Sequence, residues 1–242
     1  MLLSGHQPVY LPGLILFNKI ALSDRFMFVG HVQLTLKSWQ VRNRIRVRDE
    51  PLFLSVPVHK AGRFGQAIDE AEIDGTLWKR KHLGSIRQGY GRRPFFATYY
   101  PMVEEVLCRD WKTLGALNRA LIRLFLDLLG ITTPILDSRD LEIEGHKTDM
   151  LVSMCRAAGA DRYLSNQGAR AYVDEAALAA AGLRHHWQLF EHPVYGQGAP
   201  FLPDLSVLDL LFNCGAPAAA ALVRACGRAG PAWEEREEGQ QP

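Results

Sequence analysis

The sequence lacks several features that would assign its chemistry directly. Its four cysteines, Cys108, Cys155, Cys214 and Cys226, have neither the spacing of a zinc site nor that of a secreted disulfide framework. It has no apolar run of about 18 to 20 residues, the length that a membrane-spanning helix needs. The amino terminus also lacks the basic region of a cleavable signal. We therefore expect a cytoplasmic protein with no metal and no membrane span.

Several sequence signatures of catalysis are also missing. There is no Gly-rich dinucleotide fingerprint and no phosphate loop, and without a Gly-x-Ser-x-Gly elbow a serine hydrolase is not expected. The net charge is only +2, but residues 37–93 contain 13 Lys and Arg against 6 Asp and Glu. Such a belt suits phosphate, carboxylate or nucleic acid, or it is a solvated face. Trp39 and Phe64 are the only aromatics placed for stacking on bases, so a nucleic-acid partner is not expected.

The composition itself is that of an ordinary globular protein. Of the 242 residues, 48% are hydrophobic and 22% are charged. This length predicts one α/β domain over residues 1–226, with a helical insertion or subdomain at residues 77–129. Residues 227–242 are rich in Gly, Pro, Glu and Gln and are predicted to be a flexible tail.

The order of apolar segments predicts the fold class. The chain begins with a strand at Leu2 and Leu3, a polar turn at 4–10, an apolar helix at 14–22 and a second strand at 25–29. Further strands alternate with helices after residue 130, which predicts right-handed crossovers. The fold class is therefore α/β, with a mainly parallel or mixed sheet and flanking helices.

Two local predictions concern turns and helix ends. Residues 52–58 and 67–73 have the composition of strands and are predicted to form a hairpin. Thr113 is the predicted N-cap of the last helix in the helical segment, and Asp204 is a candidate cap of a helix over residues 205–212.

Polar side chains follow the first two predicted strands. His6, Gln7 and Tyr10 follow the first, and His31 and Gln33 follow the second. Ligands of open α/β sheets bind beyond the carboxyl ends of the strands. Because imidazole titrates near neutrality, we expect His6, Tyr10 and His31 to be catalytic, with Gln7 and Gln33 binding substrate. The alternatives are that His6 pins the turn by a hydrogen bond and that Tyr10 packs on the adjacent helix.

A basic, amide-rich segment follows at residues 37–44. Arg42 and Arg44 lie on one face of an extended strand and Asn43 on the other, a spacing that suits the binding of a phosphate or carboxylate. Lys37 and Trp39 would complete this substrate-binding set. We expect the segment to face the histidine turn across one site, and a solvated edge is the alternative.

A second polar turn follows a later predicted strand. Ser165, Gln167 and Gly168 would offer backbone amides to an anion, with the following helix assisting. A simple Gly-containing turn explains these residues equally well.

A series of specific motifs covers residues 2 to 217. They are His6-Gln7-Pro8-x-Tyr10-x-Pro12, Lys19-Ile20-x-x-Ser23-Asp24, Val32-Gln33, Lys37-Ser38-Trp39, Arg42-Asn43-Arg44-Ile45, Val56-Pro57-Val58, Lys147-Thr148, Tyr163-Leu164-Ser165-x-x-Gly168-Ala169-x-x-Tyr172 and Leu205-Ser206-x-Leu208-Asp209-Leu210-Leu211-Phe212-Asn213-x-Gly215. In these motifs the sequence resembles the WbqC-like proteins, a bacterial family encoded in O-antigen and other polysaccharide or natural-product gene clusters.

The resemblance implies a metal-independent small-molecule transferase. The gene neighbourhoods of the family suggest transfer of an acyl or aminoacyl group to an amino sugar or related amine. An acyl thioester of CoA or of a carrier protein would be the donor, and the substrate would bear a phosphate or carboxylate. Four positions depart from the family pattern: Gly13 replaces a usual Trp, Gly30 and His31 replace acidic residues, and Val41 replaces a usual Asn. We expect His31 to substitute as the base.

Two other functions fit the same residues. A strand, a histidine turn and a helix also begin the HIGH-type nucleotidyltransferases, where the histidine contacts a nucleotide triphosphate. The second histidine of that motif and a KMSKS-like loop are absent from this sequence. The other function is a non-catalytic binding or scaffold protein of a biosynthetic assembly.

Overall fold

The computed structural model describes residues 1–232. The strands are β1 (Leu2–His6), β2 (Arg25–Phe28), β3 (Arg42–Val47), β4 (Glu50–Ser55), β5 (Ile135–Asp137), β6 (Arg162–Ser165), β7 (Arg184–Phe190) and β8 (Gly227–Ala229). The helices are α1 (Leu14–Ala21), α2 (Leu77–Tyr90), α3 (Phe96–Cys108), α4 (Leu114–Leu128), α5 (Thr148–Ala158), α6 (Glu175–Ala180) and α7 (Val207–Ala225). Short 3₁₀ turns follow β5 at Ser138–Asp140 and β6 at Gln167–Ala169.

The main sheet confirms the predicted α/β class. Its six strands have the order β5-β2-β1-β6-β7-β8, and every pairing is parallel except that of β7 with β8. The chain moves outward from β1 to β2 and β5 and then returns to the other side of β1 to form β6. The strand order therefore reverses between β1 and β6, and such a switch point is where open α/β sheets bind their ligands.

Helices cover both faces of this sheet. On one face, α1, α4 and α7 bury Phe17, Phe125 and Phe212 in the larger apolar cluster. On the other face, α5 and α6 bury Met154 and Leu178 in a second cluster. Each large side chain that is fully buried contributes about 1.5–3 kcal/mol of transfer free energy. Packing of these side chains on both faces sets the distance between each helix and the sheet.

The helical segment at 77–129 is present as α2, α3 and α4. Thr113 caps α4 as predicted, since its hydroxyl oxygen accepts a hydrogen bond from the backbone amide of Ala116 at 3.4 Å. Phe125 of α4 packs edge-on against Phe17 of α1, with ring centroids 6.0 Å apart. The segment is therefore packed directly on the first helix of the sheet.

The hairpin predicted for residues 52–58 and 67–73 was wrong. The partner of β4 is β3, and a turn at Arg48 and Asp49 joins the two strands. Between the two segments that were predicted to pair, Val58 and Ile73 share only an isolated bridge. Arg48 has φ of 58°, a turn conformation usually occupied by glycine, so the sequence does not signal this turn. The buried Arg46 guanidinium supports it by donating to Arg48 O at 2.9 Å and Asp49 Oδ1 at 2.7 Å.

The last helix begins later than predicted. Ser206, rather than Asp204, is its N-cap, and Ser206 Oγ accepts from Leu208 N at 3.3 Å. The helix continues to Ala225 across a kink at Gly215, where φ is 75°. This 19-residue helix is long and apolar enough to cross a membrane, but 61% of it is buried inside the fold, so its apolar surface is used in core packing.

The chain remains ordered beyond the boundary predicted at residue 226. Strand β8 pairs antiparallel with β7 through Leu189 and Arg228, and so adds a sixth strand to the edge of the sheet. Residues 233–242 of the predicted tail lie outside the described residues.

Candidate functional site

A crevice opens between the carboxyl ends of β1 and β6, at the switch point of the sheet. Its cavity volume is about 130 Å³. We call it the β1–β6 crevice, and it is lined by Gly5, His6, Gln7, Lys19, Val29, Met150, Leu151, Met154, Tyr163, Ser165, Asn166, Ala169 and Tyr172. Two elements on opposite faces of the sheet, α1 and α5, form its walls.

His6 stands at the mouth of the crevice as the last residue of β1. Its Nδ1 lies 2.8 Å from Gln7 O, and a carbonyl oxygen can only accept, so Nδ1 carries the proton. This tautomer leaves Nε2 as the acceptor. Burial, together with the nearby charge of Lys19, lowers the pKa of His6 to about 4. The imidazole is therefore neutral at pH 7, in the form whose Nε2 can accept a hydrogen bond or a proton.

Lys19 reaches the crevice from the apolar helix α1. Its ammonium is buried and donates to Gly5 O at 2.9 Å. Burial lowers the pKa of Lys19 to about 7, and among residues 1–232 no carboxylate forms an ion pair with it. At pH 7 the amine is therefore charged about half of the time, and an anion or a developing oxyanion in the crevice would favour the charged form.

Tyrosines and a glycine shape the opposite wall. Burial raises the pKa of Tyr163 and of Tyr172, so both phenols remain protonated and can donate. A side chain at Gly5 would collide with Met154 and would lie 3.2 Å from the Tyr163 hydroxyl. Glycine at this position therefore keeps the crevice open between strand and helix.

Ser165 lines the crevice, whereas Gln167 and Gly168, the other two predicted residues of its turn, do not. Its hydroxyl Oγ is 2.9 Å from His185 Nε2. Gln167 donates from Nε2 to Gln188 O at 3.0 Å and lines a separate groove. Gly168 is exposed in the 3₁₀ turn. The predicted set of Ser165, Gln167 and Gly168 is thus divided, and only Ser165 reaches the crevice.

Hydrogen bonds from Gln40 and Asn43 of the basic segment hold the histidine turn in place. Gln40 Nε2 donates to Gln7 Oε1 at 2.7 Å, so a ligand would meet the amide nitrogen of Gln7. Asn43 is buried and its Nδ2 donates to two carbonyls of the turn, at 2.8 and 3.2 Å. Asn118 of α4 donates to a third turn carbonyl at 3.0 Å. Asn43, predicted to bind substrate, therefore braces the turn from below.

Tyr10 lies beneath the turn rather than in the crevice. Its side chain is fully buried, and its hydroxyl is 2.8 Å from His82 Nδ1. Its ring packs edge-on against Trp78. These contacts place Tyr10 in the core against α2, rather than on the adjacent helix α1, and Tyr10 is not among the residues that line the crevice.

The other members of the basic segment lie on the outer face of the β3–β4 hairpin. The Arg42 guanidinium is 4.4 Å from the centre of the Phe53 ring, and Arg44 is 5.5 Å from that of Trp39. The two aromatic rings stack on each other at 6.2 Å. Lys37 lines a shallow groove beside Arg42. Arg42 and Arg44 share one face as predicted, but they stack on rings outside the β1–β6 crevice.

His31 occupies a different position along the same sheet edge. Its Nδ1 is 2.7 Å from Ser138 Oγ, beyond the end of β5. Burial lowers the pKa of His31, while the charges of Asp69 and Asp137 oppose that shift. Gln33 is exposed. Neither residue lines the β1–β6 crevice, so the structure separates them from His6.

An ion-pair network supports the neighbourhood of His31. Arg119 of α4 is buried and pairs with Asp69, and its Nε donates to Asp137 Oδ2 at 2.7 Å. Burial alone would raise the pKa of Asp137, but hydrogen bonds from Arg139 and Arg119 hold it below its usual value. A side chain at Gly30 would collide with Asp69 and Arg119. Gly30, where the family usually carries an acidic residue, therefore provides the space for this network.

Sequence reasoning gave no role to several residues of the crevice. Lys19, Tyr163 and Tyr172 belong to the family-like motifs, and Lys19 had a further signal as the single charge within α1. Asn166 lies in the turn predicted to offer backbone amides to an anion, whereas the contact of His185 with Ser165 had no signal in the sequence. Within residues 1–232 no cluster of three or more His, Cys, Asp or Glu has the geometry to hold a metal ion.

The fold and the crevice define an α/β protein of doubly wound type with a polar site at the switch point of a parallel sheet. The chain belongs to the WbqC-like protein family, whose sequence profile matches residues 7–221. It is 35% identical over 217 residues to "Uncharacterized protein Rv1507c" of Mycobacterium tuberculosis (strain ATCC 25618 / H37Rv), a match that covers 88% of this chain and 93% of that protein. No solved structure matches the chain significantly.

Proposed function

We propose that the protein transfers an acyl or aminoacyl group to the amine of an amino sugar or related compound, without a metal, in polysaccharide or natural-product biosynthesis. One observation carries this proposal: a neutral His6 with an acceptor Nε2 shares the β1–β6 crevice with the buried amine of Lys19, which has no carboxylate partner among residues 1–232. Acyl transfer needs such a pair, because an amine must lose a proton while a carbonyl oxygen gains negative charge.

Each group has a defined task in this reaction. The amine nitrogen attacks the carbonyl carbon of an acyl thioester, His6 Nε2 accepts the proton from that nitrogen, and the thiol sulfur leaves with the electrons of the broken carbon–sulfur bond. Lys19 stabilises the oxyanion of the tetrahedral intermediate. Gln7 donates from its amide nitrogen to the substrate, because its oxygen is already bound by Gln40.

The donor in this proposal is a thioester of CoA or of a carrier protein. The hairpin face carries the exposed rings of Trp39 and Phe53 and the half-buried Arg42 and Arg44. It adjoins the histidine turn, since Tyr10 N donates to Trp39 O at 3.0 Å. Paired guanidinium groups and aromatic rings suit a phosphate-bearing donor arm. In this proposal the basic segment lies outside the crevice and binds the phosphate-bearing arm of the donor, while the reacting carbonyl lies inside the crevice.

The test is a two-substrate screen. Purified protein is incubated with acyl-CoA species and amino sugars, free thiol is measured with a chromogenic disulfide, and the amide is identified by mass spectrometry. We expect thiol release that depends on the amine and that falls at least about 100-fold in Lys19→Met. Equal turnover in Lys19→Met would remove the oxyanion role, and no amide with any thioester would refute acyl transfer.

A second function is favoured by the strand order. Counted among the parallel strands alone, the order of the sheet is 3-2-1-4-5, and the histidine turn follows the central strand. Sheets with this order bind nucleotides at the switch point, although fold by itself does not assign function. A rise in melting temperature with ATP and magnesium, together with pyrophosphate release, would favour nucleotidyl transfer. A binding or scaffold protein would give no turnover in either assay.

A further inference from the structure

The crevice contains a second chemical group that the transfer mechanism above does not use. Ser165 Oγ lies 2.9 Å from His185 Nε2, and His185 Nδ1 lies 2.8 Å from Glu175 Oε2. The three residues come from the end of β6, from β7 and from the start of α6. A hydroxyl, an imidazole and a carboxylate are thus joined in series by two hydrogen bonds.

The hydrogen bonds set the protonation of the imidazole. An ionised carboxylate only accepts, so the Nδ1 of His185 carries the proton that faces Glu175. Nε2 is then the acceptor of the hydrogen bond that the Ser165 hydroxyl donates. A nucleophile, a base that takes its proton and a third group that orients the base form the arrangement of an activated serine.

The surroundings hold this series rigid. The His185 ring packs edge-on against Trp187 with centroids 4.6 Å apart, and Trp187 Nε1 donates to Glu175 Oε1 at 2.9 Å. The His185 side chain is fully buried. Both oxygens of Glu175 are therefore engaged, and the imidazole has little freedom to rotate away from Ser165.

The position of Ser165 distinguishes this series from a network that only braces the core. Ser165 is the last residue of β6 and is one of the residues that line the β1–β6 crevice, as are His6 and Lys19. A nucleophile is commonly presented where a strand ends in a sharp turn at the carboxyl edge of a sheet. Here the 3₁₀ turn Gln167–Ala169 follows the strand, although the Gly-x-Ser-x-Gly signature is absent.

We propose that Ser165 is a catalytic nucleophile and that the acyl group passes through an ester on its Oγ, an inference that rests on the proposed acyl transfer. Ser165 Oγ attacks the thioester carbonyl, and its proton moves to His185 Nε2. The carbon–sulfur bond breaks, and the leaving thiolate takes that proton. The acceptor amine then attacks the ester carbonyl and gives a proton to His6 Nε2. The bond from the acyl carbon to Ser165 Oγ breaks, and Ser165 Oγ takes that proton from His6, so both histidines end neutral.

This two-step route separates the tasks of the two histidines. His185 serves the donor half-reaction and His6 serves the acceptor half-reaction, with Lys19 close to the carbonyl oxygen in both. The substrate class of the first half is an activated acyl ester or thioester. The prediction that a serine hydrolase is not expected rested on a missing sequence signature, and the geometry points to serine chemistry by another route.

The experiment uses two probes that need neither the natural donor nor the acceptor. A fluorophosphonate adds its phosphonyl group to an activated serine and releases fluoride, and p-nitrophenyl acetate acetylates it and releases p-nitrophenol. In the full-length protein we expect one phosphonyl adduct by intact-mass measurement, located at Ser165 by peptide mapping. With the ester we expect a burst of p-nitrophenol equal to the protein concentration.

Variants separate chemistry from folding. Ser165→Ala is expected to lose both the adduct and the burst, and Ser165→Cys to retain the burst because a thiol also accepts the acetyl group. Ser153→Ala, which removes a helical hydroxyl that accepts from Glu144 N, should label like the wild type. Melting temperatures of the variants show which of them are folded. A folded wild-type protein without an adduct, or a folded Ser165→Ala that labels normally, overturns the proposal.

Glu175 is a positioning residue, and its test is the pH profile of labelling. Glu175→Gln keeps an acceptor for Trp187 but lets the His185 ring adopt the other tautomer. We expect labelling at pH 7 to slow at least about 100-fold and then to rise steadily with pH, as hydroxide replaces the lost base. A uniform loss at all pH values would indicate a bracing role and contradict the assignment of Glu175.

The outcomes for the two proposals are distinguishable. If amide formation is measured and Ser165→Ala retains it, the transferase stands and the covalent step fails. If Ser165 is labelled but no thioester and amine give an amide, the serine chemistry stands and the proposed transfer fails.

Discussion

Two histidines lie at the carboxyl edge of neighbouring parallel strands, and their electrostatic surroundings are opposite. His6 ends β1 and lines a crevice with Lys19, a buried cation without an ion-pair partner among residues 1–232. His31 follows β2 and lies near two carboxylates, both of which are paired with the Arg119 guanidinium. Burial lowers the pKa of both imidazoles, but for His6 a neighbouring charge adds to the shift and for His31 the neighbouring charges oppose it.

The difference distinguishes a candidate ligand site, around His6, from a structural network, around His31, at the same edge of the sheet. Around His31 the buried charges are matched, and each polar atom of the network already has a partner inside the protein. Around His6 the buried charge is not matched, which costs folding free energy unless something else is gained. An unmatched buried cation beside an imidazole acceptor, in a cavity, is the arrangement expected of a ligand site.

The largest effect is predicted for the imidazole in the crevice. His6→Ala should lower the rate of amide formation by about 100- to 10,000-fold, because it removes the proton acceptor from the acceptor half-reaction. The fold should be retained, as measured by melting temperature and circular dichroism. His59→Ala, on an exposed loop, is the matched control and should leave turnover unchanged. Unchanged turnover in His6→Ala would remove His6 from the mechanism.

The next largest effect is predicted for the matched network and concerns stability. Arg119→Ala removes the buried guanidinium that pairs with Asp69 and Asp137 and leaves only the exposed Arg139 beside them. We expect the free energy of unfolding in urea to fall by about 3 kcal/mol. Turnover per folded molecule should change little, because the network lies outside the crevice.

A control on the same helix tests this explanation. Arg123 of α4 is exposed and contacts Phe28 at 6.0 Å from the ring centre, so Arg123→Ala should cost less than about 0.5 kcal/mol. Similar losses from Arg119→Ala and Arg123→Ala would show that the matched charges do not stabilise the fold.

The burial of Lys19 is a feature of the site that the sequence did not predict. Strands alternating with helices predicted a parallel sheet, and the shared edge of such a sheet placed His6, Gln7 and Ser165 in one crevice. A lysine on a helix is normally solvated, and whether it reaches the interior depends on the height at which α1 packs on the sheet. That height is fixed by apolar contacts with distant helices, which the local pattern does not contain.

Register and turn conformation were the other features that the sequence did not reveal. Ser165 meets His185 only because β6 and β7 pair in one parallel register, 20 residues apart in the chain. The β3–β4 hairpin depends on a positive φ at Arg48, which is unusual for arginine. The face on which Arg42 and Arg44 lie was predictable from strand alternation, but the aromatic rings beneath them come partly from the unpredicted hairpin partner.

A smaller effect is predicted for the pH dependence of stability. Burial lowers the pKa of His82 to about 4, as it does for His6, from an ordinary value of 6.5. The unfolded chain therefore binds more protons than the native protein between pH 6.5 and 4. Stability from these two groups is fully present above pH 6.5 and is lost as the pH falls toward 4, by on the order of 3 kcal/mol each.

Urea unfolding at intervals from pH 7 to 4.5 measures this loss. His82→Gln should reduce the pH-dependent part by roughly half, because one of the two titrations is removed. The substitution also alters the bond to the Tyr10 hydroxyl, so the slope with pH, rather than the absolute stability, is the quantity to compare. A slope that is the same in the variant would show that His82 is not held neutral in the native state.

The smallest effect is predicted for His31, although the family resemblance suggested it as a replacement base. His31→Gln removes an imidazole that is bonded to Ser138 outside the crevice, and a long amide can still reach that hydroxyl. We expect a loss below about 1 kcal/mol in the free energy of unfolding, the size of one hydrogen bond, and less than a threefold change in turnover. A decrease comparable to that of His6→Ala would mean that the ends of β1 and β2 act on one substrate. Asp69 and Asp137, the paired carboxylates near His31, would then take part in the reaction. The pairing of buried charges would no longer distinguish the structural network around His31 from the site around His6.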